Sequence, residues 1–160
     1  MSFKNYEYKK RLYNLLQRIP QQDKMERLVF RECCIAYQDF LDEKRLTSRV
    51  SKEYLVEKAV EKGILDMAWD KKEKKIKLPS DREVRRAISR LIYSGYPVDT
   101  YSGEAGVAIC DNPKTMQDRK AENEKRAKML LAKCKGYDRA TMFIQGQIDM
   151  IDLLEVEEWF

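Results

Sequence analysis

The stretch 78–95 carries a proline near its start, a glycine at its end and a helical repeat between them. Pro79 interrupts any preceding element, and Gly95 suits the left-handed position just past a helix end. Ser80 followed by Glu83 is the pattern of a capping box, in which each residue satisfies a free backbone N–H group. The sequence therefore predicts a helix over 80–94 that begins at Ser80.

This helix has two different sides. The apolar residues recur at helical spacing and form one stripe, namely Val84, Ala87, Ile88, Leu91 and Ile92. The opposite side is polar and basic, with Arg82, Arg85, Arg86, Ser89 and Arg90. A short helix of this kind can pack its stripe on a core and present its arginines to a DNA major groove.

A hairpin pattern follows the helix directly. Stretches 96–101 and 107–110 read as short strands, and Ser102, Gly103 and Gly106 lie between them. A basic helix followed by a hairpin is the order of recognition helix and wing. The sequence predicts a mainly α fold: a winged helix-turn-helix with N-terminal helices, a β-hairpin wing and a C-terminal helical extension. The predicted regions are 1–46 (N-terminal helices), 47–111 (winged-helix DNA-binding domain) and 112–160 (extension).

The same residues carry a family resemblance. Ser80-Asp-Arg-Glu-Val-Arg-Arg-Ala-Ile, then Leu91, Gly95-Tyr-Pro-Val and a small-residue hairpin resemble the winged helix-turn-helix proteins of bacteriophages and prophages. The resemblance implies a protein that acts in transcription regulation or DNA replication, in the cytoplasm of a bacterial host. It also implies an alternative, in which the winged helix binds and inhibits or recruits a host or phage protein, for example in countering host defence.

The expected partner is double-stranded DNA, contacted mainly by the polar side of the helix. Arg82, Arg85 and Arg86 are closest to the helix start and are the candidates for base contacts, because arginine pairs with guanine through two hydrogen bonds. Four further residues are expected to contact the DNA backbone or the minor groove, namely Ser89, Arg90 and the wing residues Tyr101 and Ser102. Ser80, at the predicted helix start, is a further DNA-binding candidate. The competing interpretation is that these arginines serve solubility alone.

The residues before this helix predict three more helices, over 3–18, 23–44 and 51–63, the last capped by Ser51. Four tyrosines in the first two helices are expected to pack at the core or its edge rather than stack on bases, namely Tyr6, Tyr8, Tyr13 and Tyr37. Stretch 64–78 is an insertion that fits a strand pair with its turn at 70–73. Its lysines, at positions 71, 72, 74, 75 and 77, suit either phosphate contacts or a solvated turn.

After the hairpin, Asn112 and Pro113 predict the start of a long helix. Gly136 is expected to break or bend it, with a last helix over 138–155. The apolar residues of these two helices also fit a homodimer contact. The end of the sequence resembles the protein-docking tail of bacterial single-stranded-DNA-binding proteins, and its candidate partner-binding residues are Glu157, Glu158, Trp159 and Phe160. A core-packed end remains the other interpretation.

The sequence lacks the residues that several kinds of catalytic and ligand-binding site require. The sequence contains no histidine, and no phosphate-binding or dinucleotide-binding glycine motif occurs. The adjacent pair Cys33 and Cys34 and the single Cys110 and Cys134 have no zinc-site spacing, so free thiols are expected. No apolar run is long enough for a signal peptide or a membrane helix. We therefore expect a non-enzymatic protein without metal or cofactor and without membrane contact.

Overall fold

The computed structural model describes residues 3–100 and 105–146. The chain divides into two compact units, Met1–Asp111 and Asn112–Phe160. Within the described residues the fold is mainly helical, as the sequence predicts, with two small antiparallel sheets. The helices are α1 (Phe3–Arg18), α2 (Lys24–Leu41), α3 (Lys52–Glu61), α4 (Arg82–Tyr93) and α5 (Pro113–Ile144). The strands are β1 (Ala68–Asp70), β2 (Lys75–Lys77), β3 (Val98–Asp99) and β4 (Ala108–Ile109).

One apolar core organises the first unit, and α2 lies at its centre. This helix packs against α1, α3, α4 and β4. Among the fully buried side chains are Phe30 of α2, Leu55 of α3, Val84 of α4 and Val107, which precedes β4. The helices of region 1–46 therefore share a core with the helices and strands of region 47–111.

Two tyrosines tie the first two helices to the segment after β4. The rings of Tyr8 and Tyr37 meet edge to face, with 5.8 Å between centroids. The Tyr8 hydroxyl donates to the carbonyl of Cys110, and that of Tyr37 donates to Oδ2 of Asp111 at 3.0 Å. Burial raises the pKa of both phenols. The packing role predicted for these two is confirmed, whereas Tyr6 and Tyr13 are exposed.

Several predicted helix ends are confirmed by their hydrogen bonds. The hydroxyl of Ser51 accepts from the amide of Tyr54 at 3.1 Å and so caps α3. Asn112 caps α5 in the same way, with Pro113 in the first turn. Gly95 has φ +81, and its amide donates to the Ile92 carbonyl at 3.0 Å, which closes α4 in a left-handed turn.

The predicted start of the central helix is wrong by two residues. The helix begins at Arg82 with Asp81 in the capping position, and Ser80 lies outside it. The Asp81 carboxylate makes no backbone cap and instead accepts from Nε of Arg85 at 2.8 Å. The Glu83 carboxylate, which a capping box would turn back to Ser80, accepts from Arg86. Both carboxylates therefore bind guanidinium groups of the same helix instead of capping its backbone.

The predicted break at Gly136 is also wrong, because α5 runs unbroken from Pro113 to Ile144. A single glycine inside a helix costs only about 1 kcal/mol relative to alanine. Strong helix formers lie on both sides, with lysines, alanines and leucines before Gly136 and Arg139, Ala140 and Met142 after it, and their combined propensity offsets that cost. Of the separate last helix predicted over 138–155, the residues up to 144 belong to α5, and those from 147 on lie outside the described residues.

The sheet after α4 has the pairing that the sequence predicts, although its strands are shorter. Val98 pairs with Ile109 and Asp99 with Ala108. An antiparallel bridge joins Val50 to Val107, with N–O distances of 2.8 and 2.9 Å between their backbones. A guanidinium nitrogen of Arg49, next to Val50, lies 3.2 Å from the Asp99 carboxylate. Helices α2, α3 and α4 and these strands are in an order compatible with a winged helix.

The insertion 64–78 is confirmed as a strand pair. Strands β1 and β2 form an antiparallel ribbon in which Trp69 pairs with Ile76. Asp70 organises the turn, because its Oδ1 accepts from the amides of Lys72 and Glu73 at 2.9 and 3.2 Å. Its Oδ2 lies 2.5 Å from Nζ of Lys77, and these contacts lower the pKa of the Asp70 carboxyl.

Candidate nucleic-acid interface

The two sides of α4 differ as the sequence predicts. The inner residues Val84, Ala87, Ile88 and Leu91 are between 0% and 3% exposed. Ile92 is an exception: it was assigned to the stripe, yet it lies exposed at the stripe's edge. The outer residues are all exposed and, together with Asp81, line one shallow depression; they are Arg82, Arg85, Arg86, Ser89, Arg90 and Tyr93. We call this outer surface the α4 face.

Two of its arginines form ion pairs along the helix itself. Arg85 binds Asp81, one turn earlier, and Arg86 donates to Oε1 of Glu83 at 2.5 Å. Both pairs are exposed, and pairs of this kind are worth only about 0.2–1 kcal/mol. Either guanidinium can therefore leave its carboxylate for a phosphate or a guanine at little cost.

Arg82 stands at the start of the α4 face. Within the part of the chain that the structure describes, its guanidinium has no ion pair, and it lies in the first helical turn. Ser89 lies near the middle of the face and is exposed. Ser80 is also exposed but precedes the helix. The first-turn cation and the central hydroxyl are thus open to a ligand.

Arg90 is held differently from the other arginines. Its Nη1 donates at 2.7 Å to Oε1 of Glu26, a nearly buried residue of α2. The hydrogen bond and charge of Glu26 raise the pKa of the Arg90 guanidinium. Arg90 is thereby fixed to the core, at the edge of the α4 face. Sequence reasoning missed this contact because Glu26 is far away in the sequence and reads as one of many helix glutamates.

Tyr93 is a further residue that sequence reasoning missed. It is exposed and lines the same depression as the arginines. The signal was present in the spacing, because positions 82, 86, 89 and 93 fall on one side of a helix. An aromatic ring at the far end of a basic surface adds a flat apolar group for stacking or for sugar contacts.

The remaining predicted contacts lie outside the described residues. Tyr101 and Ser102 fall in the range 101–104, between the described residues 100 and 105. The tail residues Glu157, Glu158, Trp159 and Phe160 lie beyond residue 146. Both assignments stay predictions.

Within residues 3–100 and 105–146, no three carboxylates or thiols come together as a metal site would require. The four cysteines are free. None of the helices in these residues combines the length and the apolar character needed to span a bilayer.

Comparisons of the chain with protein-family models, with curated proteins and with solved structures gave no match.

Proposed function

We propose that the chain is a phage-type winged-helix protein that binds double-stranded DNA and acts in regulation or replication, without catalysis. In this proposal the α4 face lies in the major groove. The observation that carries the proposal is the division of α4 into a buried apolar side and an exposed side with four arginines. A helix with side chains is about as wide as the major groove and can lie in it, and α2 packs against the inner side of α4 and leaves the outer side exposed.

The order of the elements supports a winged helix. Helix α2 takes the place of the first helix of that fold, and Val50 forms the short first strand by its bridge to Val107. Helices α3 and α4 then correspond to the helix-turn-helix, with the β1–β2 ribbon inserted in its turn. Strands β3 and β4 form the base of the wing. Helix α1 is an addition that completes the core.

The arginines have different roles in this proposal. Arg82, Arg85 and Arg86 are in the first turns of α4 and contact base edges, preferably guanine. Ser89 and Tyr93 contact the sugar-phosphate backbone. Arg90 remains bound to Glu26 and acts as a fixed positive charge beside the groove. Tyr101 and Ser102 contact the backbone or the minor groove from the wing.

The experiment is selection from a random duplex pool, followed by titration of the selected and scrambled duplexes at two salt concentrations. Replacing Arg82, Arg85 or Arg86 by alanine should weaken binding of the selected duplex by about 1–3 kcal/mol each if the residue contacts a guanine. The matched control is Arg31→Ala, since Arg31 is an exposed arginine on α2 that lines a separate cleft with Tyr13.

Three outcomes would overturn the proposal. The first is binding that does not depend on salt, because contacts to phosphates release counterions. The second is equal loss of affinity in Arg31→Ala and in the α4 variants, which would reduce the effect to net charge. Failure to enrich any duplex from the pool is the third outcome and would overturn the proposal as well.

Helix α5 favours a second candidate function, the binding of a protein. None of the described residues of this 32-residue helix is buried. Its second half exposes large apolar side chains, among them Met129, Leu130, Leu131, Tyr137 and Ile144. A helix with such a surface gains from covering it, either with a second copy of the chain or with a host or phage protein. Sedimentation across a concentration range tests the homodimer, and a concentration-independent monomer would leave only the heterologous partner.

A further inference from the structure

The β1–β2 ribbon exposes an apolar face that the core does not use. Trp69 and Ile76 are direct cross-strand partners, so their side chains lie on the same face, and they are 60% and 66% exposed. Met67 immediately precedes β1 and Leu78 immediately follows β2, and both are exposed as well. Among the described core residues, none comes from β1 or β2.

The ribbon keeps its shape by polar contacts instead. The Asp70 carboxylate accepts from two turn amides and binds Lys77, and Glu73 binds Lys75. These contacts lie at the turn and on the opposite face from Trp69. A two-stranded ribbon is marginal in water by itself, and the cross-strand pair of Trp69 and Ile76 stabilises it by only about 0.2–1 kcal/mol. The apolar face is therefore available to a ligand.

The charges around this face indicate the chemistry of that ligand. Lys71, Lys72 and Lys74 are exposed in the turn, and their ammonium groups have no ion pair within the described residues. Lys75 and Lys77 are neutralised by their carboxylates. The ribbon thus presents a flat aromatic group beside three unneutralised cations. A strand of unpaired nucleotides offers the complement, because its bases stack on aromatic rings and its phosphates attract lysines.

We propose that the β1–β2 ribbon binds single-stranded DNA, with Trp69 and Ile76 against an unpaired base and Lys71, Lys72 and Lys74 on neighbouring phosphates. Lys77 is five residues from Arg82, so the end of the ribbon lies within about 18 Å of the start of the α4 face. The proposal rests on the proposed function in one respect. When α4 lies in the major groove of a duplex, the ribbon contacts the unpaired DNA strand that continues from that duplex. The preferred substrate is then a junction of duplex and single-stranded DNA.

The experiment uses the full chain with Trp159→Phe, so that Trp69 is the one tryptophan left of two. Titration with a single-stranded oligothymidylate should quench Trp69 fluorescence and shift its emission. Affinity is measured in parallel from the anisotropy of a labelled oligothymidylate. Trp69→Ala should weaken that affinity about 5- to 150-fold, and Trp69→Phe should retain most of it.

The lysines are tested by their salt dependence. Replacing Lys71, Lys72 and Lys74 by alanine should reduce the slope of log affinity against log salt by about 2, because each phosphate contact on a single strand contributes about 0.7. The control with the same charge change replaces the exposed cations Lys10, Arg18 and Lys62, which lie in α1 and after α3. The control for Trp69→Ala is Tyr13→Ala, because Tyr13 is also an exposed aromatic residue but lies in α1.

The ribbon proposal and the duplex proposal can be overturned independently of each other. If no duplex is bound, or if Arg82→Ala and Arg85→Ala lose no more duplex affinity than Arg31→Ala, while oligothymidylate still quenches Trp69, the ribbon proposal stands without the duplex proposal. Absence of quenching, or the same slope in the lysine variant and its control, overturns the ribbon proposal whatever α4 does. Quenching by anionic vesicles or by polyglutamate but not by oligothymidylate would assign the ribbon to a membrane or to an acidic protein, and so also overturns it.

Discussion

Nη1 of Arg90 lies 2.7 Å from Oε1 of Glu26, and this contact joins the outer edge of α4 to the nearly buried start of α2. The carboxylate therefore holds one of the four α4 arginines away from a ligand. Glu26→Gln keeps the size of the side chain but removes its charge, so Arg90 is released more easily. We expect the salt dependence of duplex binding to become steeper by about 0.9, the contribution of one additional phosphate contact.

The control for this prediction is Glu32→Gln. Glu32 is another buried glutamate of α2, and its Oε2 accepts from the hydroxyl of Tyr54 at 3.1 Å. The substitution changes net charge equally but releases no arginine. Equal steepening in both variants would mean that net charge alone is measured, and the role given to Arg90 would be wrong.

The buried phenols predict a loss of stability at high pH. Burial, together with nearby groups, raises the pKa of Tyr8 and Tyr37 in the folded chain above the ordinary value of 10.0. Their contribution to the free energy of unfolding is therefore complete below pH 10.0 and falls as the pH rises above it. Denaturant unfolding over a series of alkaline pH values measures this. In Tyr37→Phe the alkaline decline should be shallower, whereas Tyr13→Phe should follow the unmodified chain because Tyr13 is exposed.

The four cysteines should react with a thiol reagent in an order set by burial. Desolvation raises the pKa of the Cys34 thiol to about 12, and it also raises that of the fully buried Cys33. Cys134 is exposed on α5. Because the thiolate is the reactive form, maleimide labelling followed by peptide mapping should find Cys134 modified first and Cys33 last. In denaturant the four should react alike, and rapid native labelling of Cys33 would contradict the packing of α2.

The sequence predicts α4 well because the features of this helix depend on neighbouring residues in the chain. The stripe and the opposing arginines follow from spacing alone, and the left-handed Gly95 follows from the residue type. The position of the cap did not follow, since Ser80 and Asp81 both offer capping oxygens. Which residue precedes the helix depends on the ion pairs that Arg85 and Arg86 form with Asp81 and Glu83. The same applies to Gly136, where the sum of neighbouring propensities decides.

Contacts between distant segments could not be read from the sequence. Arg49 binds Asp99, and Arg90 binds Glu26, across pairs that only the fold brings together. Such contacts between distant residues change the interpretation of the candidate site more than that of the fold. The sequence predicts DNA contacts for all four exposed arginines, yet Arg90 is bound to Glu26 of α2 and Arg82 is not. The apolar face of the ribbon was missed for the same reason, because Trp69 and Ile76 meet only through the strand register.

Gly106 makes the sharpest structural prediction about the sheet of β3 and β4. Its φ is +91, and a Cβ at this position would lie 2.3 Å from the carbonyl oxygen of Val50, in the bridge to Val107. Gly106→Ala must therefore open a bridge of two backbone hydrogen bonds, each worth about 1 kcal/mol, in addition to adopting a strained φ. The matched control is Gly63→Ala, since Gly63 has φ +67 but nothing within 4 Å of the added Cβ.

We expect Gly63→Ala to lower the free energy of unfolding by about 1–2 kcal/mol, the cost of a left-handed non-glycine residue. Gly106→Ala should exceed that loss by about 2 kcal/mol, because it also gives up the two bridge hydrogen bonds. Denaturant unfolding of both variants measures the difference. The bridge joins the segment before α3 to the sheet of β3 and β4, which is the base of the proposed wing. Duplex affinity should therefore fall in Gly106→Ala and not in Gly63→Ala under conditions where both remain folded. Equal losses of stability in the two variants would show that the close approach of Gly106 to Val50 does not exist in solution.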